Sequence, residues 1–168
     1  MRKIALIGNP NCGKTTLFNI LTGANQKVGN WPGVTVEKKF GHFSLVDDEI
    51  ELVDLPGIYS LELEHKGVDE EIAFDFIEQE DISLIINIID ATNLERSLVL
   101  TQQLLEKSIP TVVALNMLDV AEQQGMVVSP QKLEGQLNVP IVSLIASRKE
   151  GIAELKATLE SVLAEPTR

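Results

Sequence analysis

The sequence predicts one α/β domain with a mostly parallel six-stranded sheet, one antiparallel edge strand and helices on both faces. Short apolar runs alternate with longer amphipathic segments, which is the order of a parallel sheet whose strands are joined by helices. Several runs are apolar at consecutive positions, as expected for strands covered on both faces. The chain has 168 residues, the size of a single domain that needs no disulfide or structural metal to fold.

Five apolar runs predict strands, and a sixth strand is expected because no helix separates Thr35–Leu45 from Glu49–Asp54. These two segments predict an antiparallel hairpin around Asp47 and Asp48. The five runs are Ile4–Ile7, Glu51–Val53, Leu84–Ile89, Thr111–Leu115 and Ile141–Leu144.

Five amphipathic segments between the strands predict helices, because their apolar residues recur at helical spacing. These segments are Lys14–Leu21, Asp69–Glu78, Glu95–Lys107, Pro130–Leu137 and Ile152–Leu163. Two loops, Ala24–Val34 and Pro56–Val68, are long for such a fold. Loops of this length in a compact domain are usually functional or disordered.

The charge balance excludes two classes of function. Fourteen Lys and Arg against twenty-five Asp and Glu give a formal net charge of −11. A nonspecific nucleic-acid binder would carry a basic face, and a peripheral anchor on anionic lipid would carry Lys and Arg clusters. The single cysteine, Cys12, permits no internal disulfide, and the apolar runs are too short for a signal peptide or a membrane span. We therefore expect a soluble, cytosolic domain that does not bind nucleic acid.

The segment from Gly8 to Thr15 fits the G-x-x-x-x-G-K-[ST] pattern of a phosphate-binding loop, between a predicted strand and a predicted helix. Backbone N–H groups of such a loop and the positive end of the helix surround phosphate oxygens. Lys14 is expected to reach the β- and γ-phosphates, and the Thr15 hydroxyl is expected to ligate Mg²⁺. The nucleotide-binding residues predicted here are Gly8, Asn9, Pro10, Asn11, Cys12, Gly13, Lys14, Thr15 and Thr16.

A second motif, Asp54-Leu55-Pro56-Gly57, ends the predicted strand Glu51–Val53. A carboxylate at this position can hold Mg²⁺ through water, and the Gly57 amide can bond the γ-phosphate. Asp-x-x-Gly alone is a common turn. Following a phosphate loop at this distance, it indicates a nucleotide site.

The third motif, Asn116-Met117-Leu118-Asp119, follows the apolar strand Thr111–Leu115. The Asp119 carboxylate can accept the N1–H and exocyclic NH₂ groups of guanine, whereas adenine offers neither donor arrangement. Asn116 is expected to tie this base loop to the phosphate loop. Met117 stands where the motif usually has lysine; its thioether can cover the base but donates no hydrogen bond. After the last strand, a backbone N–H of Ala146 or Ser147 is expected to bond the guanine O6.

Thr35 is the candidate for a second Mg²⁺ ligand. It lies in the glycine-rich stretch Gly29–Glu37, between the phosphate loop and Asp54, where a nucleotide switch places such a threonine. Threonine is also ordinary at the start of a strand. The neighbouring motifs favour the functional interpretation.

Taken in order, the motifs resemble a Ras-like P-loop GTPase domain of the translation-factor class over essentially the whole chain. More narrowly, the sequence resembles the ferrous iron transport protein B (FeoB) family. The resemblance rests on Gly8–Thr16 with Asn11, on Gly29–Glu37 with its Trp31-Pro32-Gly33, on Asp54–Leu61, and on an Asn116–Asp119 motif without lysine.

The resemblance implies an amino-terminal cytoplasmic GTPase domain, followed by a helical spacer and a membrane domain for Fe²⁺ at the bacterial inner membrane. Because the chain ends at Arg168, we expect one G domain over residues 1–168, with the spacer and membrane domains outside it. GTP or GDP and those domains are the implied partners, together with weak homo-oligomerisation. The resemblance also adds Gly33 and Val34 to the nucleotide-binding residues.

Catalysis is expected to be slow. The residue after Gly57 is Ile58, whose side chain cannot orient water, and the arginines nearest the motifs, Arg2 and Arg96, lie on other elements. The resemblance implies K⁺ in place of an arginine, held by the Asn11 amide oxygen and by carbonyls around Gly29 and Trp31. The predicted catalytic residues are Asn11, Lys14, Thr35 and Gly57.

Two alternatives remain at this stage. A regulatory GTPase of ribosome or tRNA-modification type shares the Asn-containing phosphate loop, although the acidic charge counts against it. A nucleotide sensor that does not hydrolyse GTP would carry the same binding motifs. A single-turnover assay separates this sensor from an enzyme.

Overall fold

Seven strands form one mixed sheet in the computed structural model, which describes residues 1–62 and 67–165. The predicted loop Pro56–Val68 therefore lies partly outside the described residues. The strands are β1 (Arg2–Gly8), β2 (Gln26–Asn30), β3 (Glu37–Ser44), β4 (Glu49–Asp54), β5 (Leu84–Asp90), β6 (Thr111–Asn116) and β7 (Ile141–Ser143).

The five predicted helices are confirmed, with ends that differ from the prediction by at most two residues. A sixth helix of six residues follows Met117 and was not predicted, because one and a half turns give no measurable periodicity. Nowhere in the described ranges is a helix both long enough and apolar enough to cross a bilayer. The helices are α1 (Lys14–Thr22), α2 (Val68–Gln79), α3 (Leu94–Leu105), α4 (Leu118–Gln123), α5 (Pro130–Leu137) and α6 (Ile152–Ala164).

The sheet order is β2-β3-β4-β1-β5-β6-β7, so the prediction of six strands was wrong by one. The additional strand, β2, lies within Ala24–Val34, which was predicted to be a loop. Apart from the exposed Val28 its residues are not apolar, and an edge strand with little apolar alternation leaves no signal in the sequence. Strand β3 pairs antiparallel with both β2 and β4, while the remaining pairs are parallel. The predicted β3–β4 hairpin is confirmed.

Both faces of the sheet are covered, as the continuous apolar runs predicted. In β1, Ile4 and Leu6 face a core that α1 and α6 complete, while Ala5 and Ile7 face a core that α2 and α3 complete. Successive residues of a strand point to opposite faces, so a strand buried on both sides must be apolar throughout. A third cluster joins β5 and β6 to α4 and α5.

The parallel order brings the predicted motifs to one edge of the sheet. Strands β1, β4, β5 and β6 run in the same direction, so the loops that follow them emerge together. Ligands of open α/β sheets bind at this carboxyl edge. The phosphate loop, Asp54 and Asn116 all lie there.

A buried polar pair supports the centre of this edge. The Asn87 side chain, on β5, donates to the Ile7 carbonyl (3.2 Å) and accepts from the Thr101 hydroxyl of α3 (2.6 Å). Both side chains are almost fully buried. A buried polar group without a partner is costly, so the pair fixes α3 against the end of β1.

The Thr101→Val substitution is expected to destabilise the domain by about 1–3 kcal/mol, because it leaves the buried Asn87 oxygen without its donor. Thr158→Val is the matched control. Thr158 bonds the carbonyl four residues earlier, as Thr101 does, but on the exposed side of α6. This control should change the free energy of unfolding by no more than about 0.5 kcal/mol. Urea denaturation measures both, and equal effects would contradict the assignment.

Candidate phosphate and base site

The phosphate loop turns tightly between β1 and α1. Asn11 and Gly13 adopt left-handed backbone conformations, with φ of 63° and 94°. A Cβ at Gly13 would lie 2.2 Å from the Asn116 amide nitrogen, and a Cβ at Gly8 would lie 2.7 Å from the Ile88 carbonyl oxygen. Both glycines are therefore required by close packing, in addition to the conformational need at Gly13.

An open groove of about 530 Å³ lies over this loop. Thr15 and Thr16 are exposed there at the start of α1, where a helix presents unpaired N–H groups and a positive dipole end. Asp69, in the first turn of α2, also lines the groove and was not among the predicted site residues. The lining residues are Asn9, Pro10, Asn11, Gly13, Lys14, Thr15, Thr16, Gly57 and Asp69.

Lys14 and Asp54 form a largely buried ion pair. The Lys14 ammonium contacts the Asp54 carboxylate directly, and the two side chains are only 11% and 9% exposed. Burial raises the pKa of the Asp54 carboxyl above its ordinary value, and the nearby Lys14 opposes this increase. The lysine expected at the phosphates is thus held by the carboxylate expected near Mg²⁺.

The donor set fits a Mg²⁺ ion. Asp54 and Thr15 offer a carboxylate and a hydroxyl oxygen, and oxygen ligands are those that Mg²⁺ prefers. The desolvated Asp54 carboxylate needs a cation beside it, and Lys14 supplies that charge in this structure. A cation of higher charge bound with a nucleotide can take over this role.

Thr35 lies in the turn between β2 and β3, where its side chain is exposed. The turn is closed by bonds from the Trp31 N–H to the Val36 carbonyl (3.0 Å) and from the Val34 N–H to the Trp31 carbonyl (3.2 Å). Within the described ranges, Thr35, Gly33 and Val34 do not line the groove. The structure therefore does not bring these predicted residues to the phosphate loop.

Trp31 anchors that turn in the core. Its ring is 6% exposed and packs edge-on against Phe76 of α2, with a centroid separation of 5.7 Å. The Lys38 ammonium lies 4.9 Å from the ring centroid. The indole nitrogen is the one buried side-chain N or O atom in the described part of the chain that lacks a hydrogen-bond partner.

The cation ligands implied by the resemblance are not gathered in this structure. Asn11 is exposed at the groove, and its side chain makes no hydrogen bond among residues 1–62 and 67–165. Gly29 lies in β2 opposite Lys38, and the Trp31 carbonyl already accepts the Val34 N–H. The Asn11 side chain is therefore not used to brace the loop.

The segment after Asp54 is tied to the phosphate loop. A Cβ on Gly57 would lie 3.0 Å from the Pro10 backbone, so a larger residue here would have to displace the phosphate loop slightly. The Ile58 N–H donates to the Gly8 carbonyl (3.1 Å), and the Asn9 side chain donates to the Ile58 carbonyl (2.8 Å). Ile58 itself is 1% exposed in the core.

Asn116 joins three loops. Its amide nitrogen donates to the Cys12 carbonyl (3.1 Å), so the predicted tie between base loop and phosphate loop is confirmed. Its amide oxygen accepts the N–H of Ala146 (3.1 Å), one of the two residues expected to bond the guanine O6, so this N–H already has a partner. Ser147, next in the chain, is exposed.

Asp119 has a partner that the sequence analysis did not identify. The Arg148 guanidinium lies 3.9 Å from the Asp119 carboxylate, and the arginine side chain is 58% exposed. Met117 takes a left-handed conformation (φ 65°) immediately before α4, which carries Asp119 in its first turn. A basic side chain therefore lies beside Asp119, and it comes from the segment after β7.

Cys12 is a packing residue. It is 1% exposed within the core beneath the loop, and burial raises the pKa of its thiol to about 11. A thiol with this pKa is almost entirely protonated at neutral pH. The backbone of Cys12, through its carbonyl, is the part that serves the site.

Comparison with known proteins agrees with these features. The family model described as Ferrous iron transport protein B matches residues 2–159. The Fe(2+) transporter FeoB of Shigella flexneri is 54% identical over 159 residues, which are 94% of this chain and 21% of that protein. The chain therefore spans about a fifth of the length of this curated relative.

Two solved structures are similar throughout. The cytosolic domain of L. pneumophila FeoB is 52% identical, with a TM-score of 0.90, over 94% of this chain and 68% of that one. The cytosolic domain of T. maritima FeoB in its GMPPNP form is 42% identical, with a TM-score of 0.92, over 99% of this chain and 66% of that one. The family of iron transporters is thereby favoured over a ribosome- or tRNA-type GTPase. The chain belongs to the ferrous iron transport protein B family and corresponds to the amino-terminal G domain of that family.

Proposed function

We propose that this domain binds GTP and hydrolyses it slowly to GDP and phosphate. The observation that carries the proposal is the Asn116 junction, which fixes the Asp119-bearing base loop against the phosphate loop. A guanine held by Asp119 would then be followed by phosphates lying over the amides of the loop and α1. The T. maritima relative in its GMPPNP form supports this use of the groove.

The wider role is that of a switch for ferrous iron transport. The Shigella relative is an Fe(2+) transporter, of which this chain matches about a fifth. We infer that the domain acts at the cytoplasmic face of the inner membrane and that its partners are the spacer and membrane domains of the same protein. Nucleotide-dependent movement of the Thr35 turn would be the signal passed to them.

When GTP binds, the Lys14–Asp54 pair is expected to separate. Lys14 would turn to the β- and γ-phosphates, and Asp54 would hold Mg²⁺ through water. Thr15 and Thr35 would supply hydroxyl ligands. A Mg²⁺ ion held by these residues would supply positive charge to offset the negative charge of the phosphates during hydrolysis.

The Ile58 side chain cannot orient the attacking water, because it is buried and carries no polar atom, so backbone groups or another loop would place that water. The Gly57 amide, which lines the groove, is our candidate for the contact with the γ-phosphate. The described residues that line the groove include neither a glutamine nor an arginine, the side chains that accelerate other GTPases. Slow turnover follows for the isolated domain.

Asp119→Asn should weaken GTP binding by at least about a hundredfold and favour xanthine nucleotide, because the amide presents a donor where guanine also has one. Glu122→Gln removes an exposed carboxylate of the same helix and should leave affinity unchanged. Titration calorimetry with GDP, GTP and XTP distinguishes the two. Undiminished GTP affinity in Asp119→Asn would remove the base-site assignment.

Thr35→Ala should lower GTP turnover by at least about tenfold while leaving GDP affinity nearly intact, since the hydroxyl is expected to reach Mg²⁺ only with GTP. Thr35→Ser keeps the hydroxyl and should retain most of the activity. Single-turnover hydrolysis and GDP titration give the two quantities. A parallel fall in GDP affinity would indicate a structural role for the turn.

Potassium should stimulate hydrolysis and sodium should not, when both are compared at equal ionic strength. Asn11→Gly should erase this difference, because it removes the amide oxygen and tolerates the left-handed backbone at this position. Asn19→Ala, an exposed asparagine of α1, is the control. Equal rates of the unsubstituted domain in both salts would exclude the cation site.

A further inference from the structure

A side chain of helix α3 forms hydrogen bonds with the segment that follows Gly57. The Gln103 side chain accepts the Leu61 N–H at its amide oxygen (2.6 Å) and donates from its amide nitrogen to the Ser60 hydroxyl (2.8 Å). The same hydroxyl accepts the Glu62 N–H (3.1 Å). One side chain thereby satisfies a backbone donor and, through Ser60, orders a second.

The neighbouring residue is held by the same helix. The Arg96 guanidinium lies 3.9 Å from the centroid of the Tyr59 ring, which is 39% exposed. Arg96 and Gln103 are seven residues apart, so they stand two turns apart on one face of α3. Tyr59, Ser60 and Leu61 are therefore all fastened to that face.

The earlier part of the segment is fastened elsewhere. Ile58 bonds the phosphate loop through its N–H and its carbonyl, and Gly57 packs on Pro10. The stretch from Gly57 to Leu61 thus has the phosphate loop on one side and α3 on the other. Contacts with the phosphate loop at one end and with α3 at the other therefore set the position of this segment.

A glutamine side chain is suited to both of these hydrogen bonds. A carboxamide offers an acceptor and a donor at the same end, which matches the Leu61 N–H and the Ser60 oxygen at once. Leucine of similar size offers neither. The adjacent Gln102 is exposed, and its side chain makes no hydrogen bond within the described ranges.

We propose that Gln103 is a positioning residue for GTP hydrolysis, which holds the Gly57–Leu61 segment where the Gly57 amide can act on the γ-phosphate. The inference rests on the proposed function of the site. A catalytic side chain can find its place by rotating about single bonds, but a backbone amide moves only with its segment. Hydrolysis that depends on the Gly57 amide therefore depends on what fixes Gly57–Leu61.

The test compares Gln103→Leu with Gln102→Leu, the same substitution one position away. Gln103→Leu should lower single-turnover GTP hydrolysis by about tenfold, the effect of about 1.4 kcal/mol in the transition state. Its affinity for GDP should stay within about twofold of the unsubstituted domain, since GDP lacks the γ-phosphate. Gln102→Leu should change neither quantity.

Ser60→Ala supplies a second, independent variant. It removes the hydroxyl that Gln103 holds and keeps the Gln103–Leu61 bond, so it should lower hydrolysis by less than Gln103→Leu does. The double variant should be no slower than Gln103→Leu alone, because both changes act on one interaction. Additive losses would show that the residues act separately and would overturn the proposal.

Two further outcomes would also overturn it. An unchanged rate of GTP hydrolysis in Gln103→Leu would show that the Gln103 hydrogen bonds do not position the Gly57–Leu61 segment for the reaction. An equal fall in GDP affinity and hydrolysis would show that Gln103 only supports folding. The unsubstituted domain, measured for GDP binding and GTP hydrolysis in the same series, tests the proposed function itself and so separates its failure from that of the Gln103 assignment.

Discussion

The site depends on the hydrogen bonds of Asn116. The loops that follow β1, β6 and β7 leave the sheet at one edge, where no strand pairing holds them together, and Asn116 joins them. The residue is 3% exposed and joins the Cys12 carbonyl to the Ala146 N–H. Its amide also lies where any side chain at position 13 would have to be, so the glycine of the phosphate loop and the asparagine of the base loop require each other. The phosphate loop and the base loop therefore share one buried hydrogen-bonded group.

The Lys14–Asp54 pair keeps two desolvated charges beside the groove compensated. A lone buried ammonium or carboxylate is costly, and each residue offsets the other. In the proposed GTP-bound state, Lys14 would contact phosphate and Asp54 would face a divalent cation, so neither charge would be left without a partner. In the proposed complex, Lys14, the start of α1 and a bound cation would supply the local positive charge, which leaves the rest of the chain free to carry its net charge of −11.

Motifs with fixed spacing could be predicted from the sequence, because a phosphate loop needs its glycines and lysine at set positions between a strand and a helix. Buried strands and amphipathic helices could also be predicted, because their apolar residues follow a regular pattern along the chain. Strand β2 was not, since an exposed polar edge has no period to detect. The contacts of Arg148 with Asp119 and of Gln103 with Ser60 join residues far apart in the chain, and nothing local marks either one.

The position of Trp31 allows its fluorescence to be used as a probe. It is the only tryptophan of the chain, and it is buried against Phe76 beside the turn that carries Thr35. Its indole N–H has no partner among the described residues, so leaving the core would allow that group to be hydrated and would expose the apolar ring to water. Indole emission therefore reports the environment of this one turn. The domain carries its own optical probe of the Thr35 turn, without any added label.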